Sequence, residues 1–430
     1  MTVTTLTGLH GSIGDPLLES IGFLNEVAGR YPDAISFAAG APHPQFFRDL
    51  DPLRAVERFR THLQEDLGLS REVADRRLYE YGPSRGIIND VIAQLLDRDH
   101  GITVPPRALV VTVGAQEAMF LTLRALSSSP NDVLAVANPS FVGILGAARL
   151  LDMPVVGIDE TDEGPDLSAL EEACLEARRH GRRIRACYVA PDFANPGGGR
   201  MSTAARHRLL ELAHCHDFLV IEDNTYGFTV AAGVERPALK ALDRQRRVVH
   251  IGTFAKTCFP GARIGFVVAD QPVASGGPGA GRLLADELAG LKSMVTVNTS
   301  PLTQAVIAGM LLEYGGSLAE PARRQASLYQ RNLTRLMAAL DREVGRDALP
   351  GIRWNRPDGG FFVRVHLPVP ATAELLHRSA SDYGVLWTPM AQFYPNGGGD
   401  RQLRLSCSYL EPARIDEGAT RLAAFLREGV

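Results

Sequence analysis

The chain has 430 residues and a formal net charge of −4, with acidic and basic side chains spread along its length. This length predicts one large domain and a smaller one, and the lack of a basic stripe argues against a nucleic-acid partner. The five cysteines are odd in number and form no Cys-x-x-Cys pair, which disfavours disulfides and a zinc site. With no apolar leader and no apolar run of membrane-spanning length, we expect a soluble, cytoplasmic protein without a membrane partner.

The first predicted element is an amphipathic helix, PLLESIGFLNEVAGRY at residues 16–31. We expect it to pack on the smaller domain or on a partner subunit. Between Ala108 and Asp270, short β-branched runs then alternate with helix-like segments: LVVTV, DVLAVA, PVVGI, ACYVA, FLVIED, VVHIGT and RIGFVVA are the strand candidates. This alternation predicts an α/β fold with a mainly parallel sheet covered by helices.

The pattern changes after this region. The Gly/Pro-rich piece SGGPGAG at residues 275–281 predicts a surface loop. After about Asn298 come a long amphipathic region, several short strands and a final helix-like segment, which predict a smaller α+β domain. We assign residues 54–310 to the large domain, and residues 1–53 and 311–430 to the smaller domain, which is built from both chain ends.

Polar residues follow four of the predicted strands at the carboxyl edge, where open α/β sheets bind ligands. Gly114 follows LVVTV, Asn195 follows ACYVAPDFA, Asp223 ends FLVIED and Lys256 follows VVHIGTF. We therefore expect these residues to face one crevice. A neutral lysine amine attacks carbonyl groups to form a Schiff base, and pyridoxal phosphate is the cofactor that joins such a lysine to an acidic partner.

The order Gly114, Asn195, Asp223, Lys256 and Arg263 resembles that of the fold type I pyridoxal-phosphate enzymes, in particular the class I/II aminotransferases. The resemblance extends from PDAISFAAGAP to LRLSCS, which is nearly the whole chain. It implies the fold type I architecture and pyridoxal 5'-phosphate as the cofactor. It also implies a ping-pong reaction in which an amino group moves between an α-amino acid and a 2-oxo acid.

The same resemblance implies the roles of the catalytic residues, Lys256, Asp223 and Tyr226. Lys256 would hold the cofactor as a Schiff base and would later move the proton at the substrate α-carbon. Asp223 would pair with the pyridine nitrogen and keep it protonated. Asn195 and Tyr226 would donate hydrogen bonds to the ring oxygen beside the imine.

The segment TVGAQEAM predicts a strand, a tight turn and the start of a helix. The free backbone N–H groups of Gly114, Ala115 and Gln116 at such a helix start suit a phosphate. The resemblance adds Thr253 and Arg263 to this phosphate site, with the arginine as a charge-assisted partner.

Four further positions match the family. Phe141 matches an aromatic residue that stacks on the cofactor, and Tyr81 matches a tyrosine that reaches the phosphate of the neighbouring subunit, which implies a homodimer. Arg404 matches the arginine that binds the substrate α-carboxylate, and Gly40 matches the backbone that closes over it. Together with Asn195, Arg404 and Gly40 are the expected substrate-binding residues.

Each of these residues also has a structural interpretation. Asp223 lies in the turn-like sequence EDNTYG and could cap a helix, and Asn195 could serve a turn. Phe141 and Tyr81 could be packed aromatic side chains, and Arg404 could be a solvated charge.

Other positions bear on substrate choice. Arg364 and Arg85 could bind an acidic substrate side chain, although exposure is the favoured interpretation for both. The histidines of HCH at residues 214–216 are adjacent on a helix and face different ways, so we expect no metal site. Ala255 replaces a serine that relatives often have, which would remove one hydrogen bond near the phosphate, and Met390 replaces a glycine, which leaves the rim of the substrate pocket undefined.

Two alternatives to an aminotransferase stay open at this point. The same fold and cofactor also serve amino-acid oxidases, lyases, decarboxylases and cyclases of biosynthetic pathways. A cofactor-sensing transcription regulator would need a DNA-binding domain, and about thirty-five residues before ISFAAGAP are too few for one. We therefore predict an aminotransferase of amino-acid metabolism.

Overall fold

The computed structural model describes residues 8–230, 236–274, 281–345, 349–428 and 430. The described helices are α1 (Pro16–Arg30), α2 (Pro52–Glu65), α3 (Arg71–Tyr79), α4 (Asn89–His100), α5 (Gly114–Leu126), α6 (Val142–Leu150), α7 (Leu167–Arg179), α8 (Thr203–His216), α9 (Leu239–Leu242), α10 (Leu284–Val295), α11 (Pro301–Glu313), α12 (Ala319–Glu343), α13 (Ala373–Asp382) and α14 (Pro412–Glu428). The described strands are β1 (Ile35–Ser36), β2 (Leu109–Val113), β3 (Asp132–Asn138), β4 (Val155–Thr161), β5 (Gly164–Pro165), β6 (Arg183–Val189), β7 (Leu219–Asp223), β8 (Val248–Thr253), β9 (Ile264–Val268), β10 (Pro272–Val273), β11 (Arg282–Leu283), β12 (Arg353–Trp354), β13 (Phe362–His366), β14 (Val385–Leu386), β15 (Thr388–Pro389) and β16 (Gln402–Ser406).

Eight of the described strands form the central sheet, in the order β2-β9-β8-β7-β6-β3-β4-β5. Strands β8, β7, β6, β3 and β4 run parallel, whereas β9 is antiparallel to both of its neighbours and β5 is antiparallel to β4. The seven strand candidates are confirmed as β2, β3, β4, β6, β7, β8 and β9. The predicted α/β fold with a mainly parallel sheet is therefore confirmed.

The central strands are buried on both faces, because successive side chains alternate between two cores. Ile221 and Val249 belong to a core that includes residues of α5, α6 and α10. Val220 and Val248, one position away on the same strands, belong to a core that includes residues of α7 and α8. Since helices cover both faces, the carboxyl ends of the strands are the part of the sheet that can meet a ligand.

A second sheet is antiparallel and has the order β12-β13-β16-β15. Strand β1 pairs in parallel with β14, with Ile35 opposite Val385. Phe37, which follows β1, is fully buried in a core with Leu405 of β16 and Phe425 of α14. Residues from both ends of the chain thus share one core.

Helix α1 confirms the helix predicted at residues 16–31. Asp15 is its N-cap, since the Asp15 side chain accepts a hydrogen bond from the Leu17 backbone N–H at 2.9 Å, and Pro16 occupies the first helical position. Val27 lies in the core shared by both chain ends, so this face of α1 packs on the C-terminal elements.

Across the described ranges, every helix is too short or too polar to cross a lipid bilayer. The same residues contain no group of three or more His, Cys, Asp and Glu side chains that could hold a metal ion. All five cysteines are free thiols. The loop predicted at residues 275–281 lies outside the described residues except for Gly281.

Helices α2 and α11 approach each other closely at Gly309 of α11. A Cβ atom at this position would lie 1.9 Å from the backbone O of Ala55 and 2.5 Å from its carbonyl carbon. Because backbone atoms cannot move aside as a flexible side chain can, the two helices keep this separation only with glycine at position 309.

We expect Gly309→Ala to lower the free energy of unfolding by about 1–3 kcal/mol, because the added methyl group would force the helices apart. Gly290→Ala in α10 is the matched control, since nothing lies within 4 Å of the added Cβ atom and alanine favours a helix over glycine. Urea unfolding followed by circular dichroism measures both variants. Equal midpoints for the two variants would contradict the close packing.

Candidate active site

Lys256 lies just beyond β8 and faces a cavity of about 460 Å³. Its Nζ atom donates a hydrogen bond to the backbone O of Gly40 at 2.7 Å. Three other cavities among the described residues are larger, at about 560, 750 and 790 Å³, but none of them is lined by Lys256, Asp223 or Arg404. We therefore take the cavity at Lys256 as the candidate site, because it is the one that joins an amine to a buried carboxylate and a buried guanidinium.

The structure brings most of the predicted site residues together. The predicted residues that line the cavity are Gly40, Ala115, Gln116, Phe141, Asn195, Asp223, Tyr226, Thr253, Lys256, Arg263 and Arg404. Gly114 lies behind this lining, at the start of α5. Tyr81 does not line the cavity of its own chain and is 89% exposed in the loop after α3.

Lys256 differs from the other two lysines in the sequence. The buried Lys240 lies 2.6 Å from a carboxylate oxygen of Asp270, and the buried Lys292 lies 2.7 Å from one of Glu117. Among the described residues, no carboxylate lies within ion-pair distance of Lys256. Its amine is thus the one lysine amine that is free to meet a ligand.

Three effects lower the pKa of the Lys256 amine to about 8. Burial is the largest, the positive charge of Arg404 is the next, and the charge of Arg263 is the smallest. Asp223 acts in the opposite direction but does not restore the ordinary pKa. A substantial fraction of the amine is therefore neutral near pH 8, as a nucleophile requires.

Asp223 ends β7 and is buried beside the amine, with 6% of its surface exposed. The Tyr188 hydroxyl donates a hydrogen bond to its carboxylate at 2.7 Å, and Thr225 donates two, from its hydroxyl at 2.5 Å and its backbone N–H at 3.1 Å. Burial raises the pKa of Asp223, whereas the hydrogen bonds from Thr225 and Tyr188 oppose this shift. The Thr225 N–H bond to the side chain two residues earlier is typical of a turn, but Asp223 caps no helix, because the next helical turn begins at Gly227.

Arg404 is buried, with 6% of its surface exposed, so the alternative interpretation as a solvated charge is wrong. Its guanidinium donates hydrogen bonds to Asn195 Oδ1 at 2.6 Å and to the backbone O of Ala38 at 2.9 Å. It lies over the Phe362 ring, 4.4 Å from the centroid, and near the Phe393 ring, 5.3 Å from the centroid. Burial lowers the pKa of Arg404 to about 10, which is still well above neutral pH.

The charge of Arg404 has no anionic partner among the described residues. Its neighbours are amide, carbonyl and hydroxyl oxygens, and its Nε atom is buried without a hydrogen-bond partner. A buried cation without a counter-charge is costly, so this arrangement fits a site whose ligand supplies a carboxylate.

The first turn of α5 has no side-chain cap, so the N–H groups of Gly114, Ala115 and Gln116 have no partner within the helix. Gly114 has φ +71°, and a Cβ atom at this position would lie 2.5 Å from Arg263 Nη2. Glycine therefore allows both the backbone conformation and the approach of the guanidinium. Thr253 lies at the adjacent end of β8 and also faces the cavity.

Several lining residues were missed by the sequence analysis. Leu24, Asn25 and Ala28 of α1 line the cavity, so this helix packs against the site as well as on the C-terminal core. The amphipathic pattern of α1 predicted a buried face but gave no signal of what that face would meet. Tyr188 lies in the strand candidate ACYVA, and nothing in that run indicated that its hydroxyl would donate a hydrogen bond to Asp223.

Neither arginine considered as an acidic-side-chain partner lines the cavity. Arg364 lies 3.4 Å from a carboxylate oxygen of Glu160, and Arg85 pairs with Asp286. The favoured interpretation as exposed charges is wrong for both, since each side chain is about one-quarter exposed and ion-paired. Met390, at the predicted pocket rim, is fully buried and packs with Phe393.

Comparisons with known proteins assign the family. The sequence profile of the family described as aminotransferase class I and II matches residues 48–422. The (S)-3,5-dihydroxyphenylglycine transaminase of Amycolatopsis orientalis is 49% identical over 426 residues, which cover 99% of this chain and 95% of the relative.

Solved structures of aminotransferases are also similar to this chain. The kynurenine aminotransferase of Pyrococcus horikoshii, solved with pyridoxamine phosphate, has a TM-score of 0.80 and 28% identity, covering 96% of this chain and 95% of the other. The α-aminoadipate aminotransferase LysN of Thermus thermophilus was solved with a phosphopyridoxyl-leucine ligand. It has a TM-score of 0.78 and 29% identity, covering 98% of this chain and 97% of the other.

The chain belongs to the class I and II aminotransferase family and has the fold type I architecture. It is an enzyme that transfers amino groups with pyridoxal phosphate as its cofactor. The comparisons do not favour the oxidase, lyase, decarboxylase or cyclase alternative.

The residues at the cavity fit this cofactor. An amine with a lowered pKa suits its aldehyde, and the buried Asp223 carboxylate suits its pyridine nitrogen. The free N–H groups at the start of α5, with Arg263 against Gly114, suit its phosphate. Arg404 is then left for the carboxylate of an amino acid.

We expect Gly114→Ala to weaken the binding of pyridoxal phosphate about tenfold or more, because the methyl group would displace the Arg263 guanidinium and remove a charge-assisted hydrogen bond. Gly181→Ala is the matched control: Gly181 has φ +68°, so the backbone strain is similar, but nothing lies within 4 Å of its added Cβ atom. Absorbance titration of the apoenzyme gives both affinities. A similar loss in the two variants would show that backbone strain alone is responsible.

Proposed function

We propose that Lys256 holds pyridoxal phosphate as a Schiff base and that the enzyme moves an amino group between an α-amino acid and a 2-oxo acid in a ping-pong sequence. The observation that carries this proposal is that Lys256 alone among the three lysines has no carboxylate partner in the described structure. Lys240 and Lys292 are committed to carboxylates, whereas Lys256 faces the cavity with a pKa of about 8. When bound, the cofactor supplies the electron sink for the reaction.

The proposed roles of the chain's own residues follow from their contacts. Once the substrate amine takes its place on the cofactor, the neutral Lys256 Nζ would be free to accept and move the proton of the substrate α-carbon. Asp223, held by Tyr188 and Thr225, keeps a negative charge for the pyridine nitrogen. Tyr226 lies at the same cavity, and burial raises its pKa, so its hydroxyl stays protonated and can donate a hydrogen bond.

The remaining residues bind the two ends of the reacting molecules. We propose that Arg263, Thr253 and the backbone amides of residues 114–116 bind the phosphate, and that Phe141 packs on the cofactor ring. We propose that Arg404, oriented by Asn195, binds the substrate α-carboxylate. The absence of a carboxylate partner for Arg404 among the described residues supports this role.

We propose that the amino donor has an uncharged aromatic side chain. The charged residues that line the described cavity are Asp223, Lys256, Arg263 and Arg404, and each has a role toward the cofactor or the α-carboxylate. No lining cation is left for a second carboxylate. The 49% identity to a transaminase that acts on an arylglycine supports the aromatic class.

We propose that the active enzyme is a homodimer in the cytoplasm, with Tyr81 reaching the neighbouring subunit's site. The high exposure of Tyr81, together with the exposed apolar side chains Leu53, Tyr79 and Met294, supports a surface that a second copy covers. Free cysteines are consistent with a reducing compartment.

The proposed division at residues 54–310 is supported by the buried cores of the two proposed domains. The core that contains Val27 and Ile35 includes C-terminal residues from Leu333 to Leu426, in line with a small domain of both chain ends. The core that contains Phe59 also includes Leu311 of α11, so this large-domain core extends slightly past the proposed boundary at residue 310.

The donor class is tested by mixing the holoenzyme with single amino acids and following the cofactor absorbance through one half-reaction. We expect kcat/KM for phenylglycine or phenylalanine to exceed that for 2-aminoadipate by about tenfold or more, because a second carboxylate would be desolvated without a partner. Release of the corresponding 2-oxo acid identifies transamination. A preference for 2-aminoadipate would contradict the charge argument.

The pKa of Lys256 predicts how the apoenzyme takes up the cofactor. Only the neutral amine is a nucleophile, so the rate of covalent attachment should increase about tenfold per pH unit below pH 8 and level off above it. Stopped-flow absorbance measures this rate between pH 6 and pH 10. An inflection near the ordinary lysine pKa would contradict the effect of burial and of Arg404.

A further inference from the structure

A buried ionic network lies directly behind the turn at residues 114–116. Lys292 of α10 is fully buried, and its Nζ donates to Glu117 Oε2 at 2.7 Å and to Thr296 Oγ1 at 2.7 Å. The Thr296 hydroxyl donates to the other carboxylate oxygen of Glu117 at 2.7 Å. The three side chains form a closed triangle of hydrogen bonds.

Glu117 also holds the backbone at the start of α5. Its Oε2 atom accepts a hydrogen bond from the Val113 N–H at 2.7 Å, and Val113 immediately precedes Gly114. The carboxylate therefore reaches back over the first helical turn, whose N–H groups are free. Any movement of Glu117 would move the residues that present these N–H groups.

The network has an electrostatic consequence. A carboxylate in the first turn of a helix is favourable for the helix itself, but it repels a phosphate that binds to the same turn. Lys292 supplies the compensating positive charge from inside the protein. Burial lowers the pKa of Lys292, while Glu117 opposes this shift, so the pair depends on mutual contact.

We infer that Glu117 and Lys292 are positioning residues for the phosphate end of the cofactor: Glu117 fixes the start of α5, and Lys292 cancels the charge that would otherwise oppose the phosphate. The inference rests on the proposed function, because it takes residues 114–116 as the phosphate-binding amides. Neither side chain lines the cavity, so each acts through the backbone and through its charge.

The test compares ligands that differ only in the phosphate. Apoenzyme variants are titrated with pyridoxal phosphate, with pyridoxal and with inorganic phosphate, and affinities are read from absorbance and calorimetry. For Lys292→Met we expect pyridoxal phosphate and inorganic phosphate to bind about tenfold more weakly, with pyridoxal affinity changed less than about threefold, because a negative charge is left in the first turn. Glu117→Gln should instead strengthen the binding of pyridoxal phosphate and of inorganic phosphate, since it removes the negative charge but keeps an oxygen for the Val113 N–H.

The double variant Glu117→Gln/Lys292→Met is the rescue control. It leaves no buried charge, so we expect its affinity for pyridoxal phosphate to lie within about threefold of the wild-type value. Circular dichroism and unfolding midpoints check that each variant is folded. If Lys292→Met does not fold, the opposite sign expected for Glu117→Gln and the rescue still decide the question.

Three outcomes would overturn the inference. The variants could lose affinity for pyridoxal and for pyridoxal phosphate equally, the two single variants could change phosphate affinity in the same direction, or all variants could keep the wild-type phosphate affinity. A different result would contradict the proposed function itself. If the wild-type protein itself binds pyridoxal as tightly as pyridoxal phosphate, residues 114–116 are not a phosphate site. If the wild type prefers the phosphate form and the variants leave this preference unchanged, only the inference is wrong.

Discussion

The site depends on an excess of positive charge that the fold holds around one cavity. Lys256, Arg263 and Arg404 face it, while Asp223 is the one carboxylate among its described lining residues. Burial and the neighbouring Arg404 charge lower the pKa of Lys256, so that part of the amine is neutral and the excess of positive charge is reduced. The remaining positive charge must be balanced by anionic ligands. A phosphate and an α-carboxylate are the two anionic groups that a pyridoxal-phosphate aminotransferase binds.

The sheet explains why these charges lie together. Strands β6, β7 and β8 run parallel, so the segments that follow them meet at one edge, and these segments carry Asn195, Asp223 and Lys256. Strand β9 returns antiparallel beside β8 and pairs with β2, which brings Arg263 against Gly114. The opposite wall comes from α1 and from Arg404 on β16, elements that belong to the core shared by both chain ends.

Buried lysines are used in two different ways in this protein. Lys240 and Lys292 are neutralised by carboxylates and hold backbone segments together, as expected for buried charges. Lys256 is surrounded by protein without such a partner, so it keeps its reactivity. Burial lowers the pKa of both Lys292 and Lys256, but only at Lys292 does a carboxylate in direct contact oppose this shift.

The sequence predicted the elements whose signal is local. The strand runs, the residues at their ends and the helix at residues 16–31 are each encoded in a few consecutive residues, and the resemblance supplied Arg404 and Gly40. Contacts between distant segments were not predictable: α1 at the cavity, Tyr188 on Asp223, and Arg85 with Asp286 join residues that are far apart in the chain. The Glu117 and Lys292 pair is of the same kind, since 175 positions separate its members.

The most direct test of the account is to find the lysine that carries the cofactor. Borohydride reduction of the holoenzyme fixes the cofactor to its lysine, and peptide mass spectrometry then locates it. Since the sequence has three lysines, Lys240 and Lys292 serve as internal controls. We predict modification of Lys256 alone, with no fixed cofactor in Lys256→Ala. Modification of Lys240 or Lys292, or cofactor fixed equally well in Lys256→Ala, would contradict it.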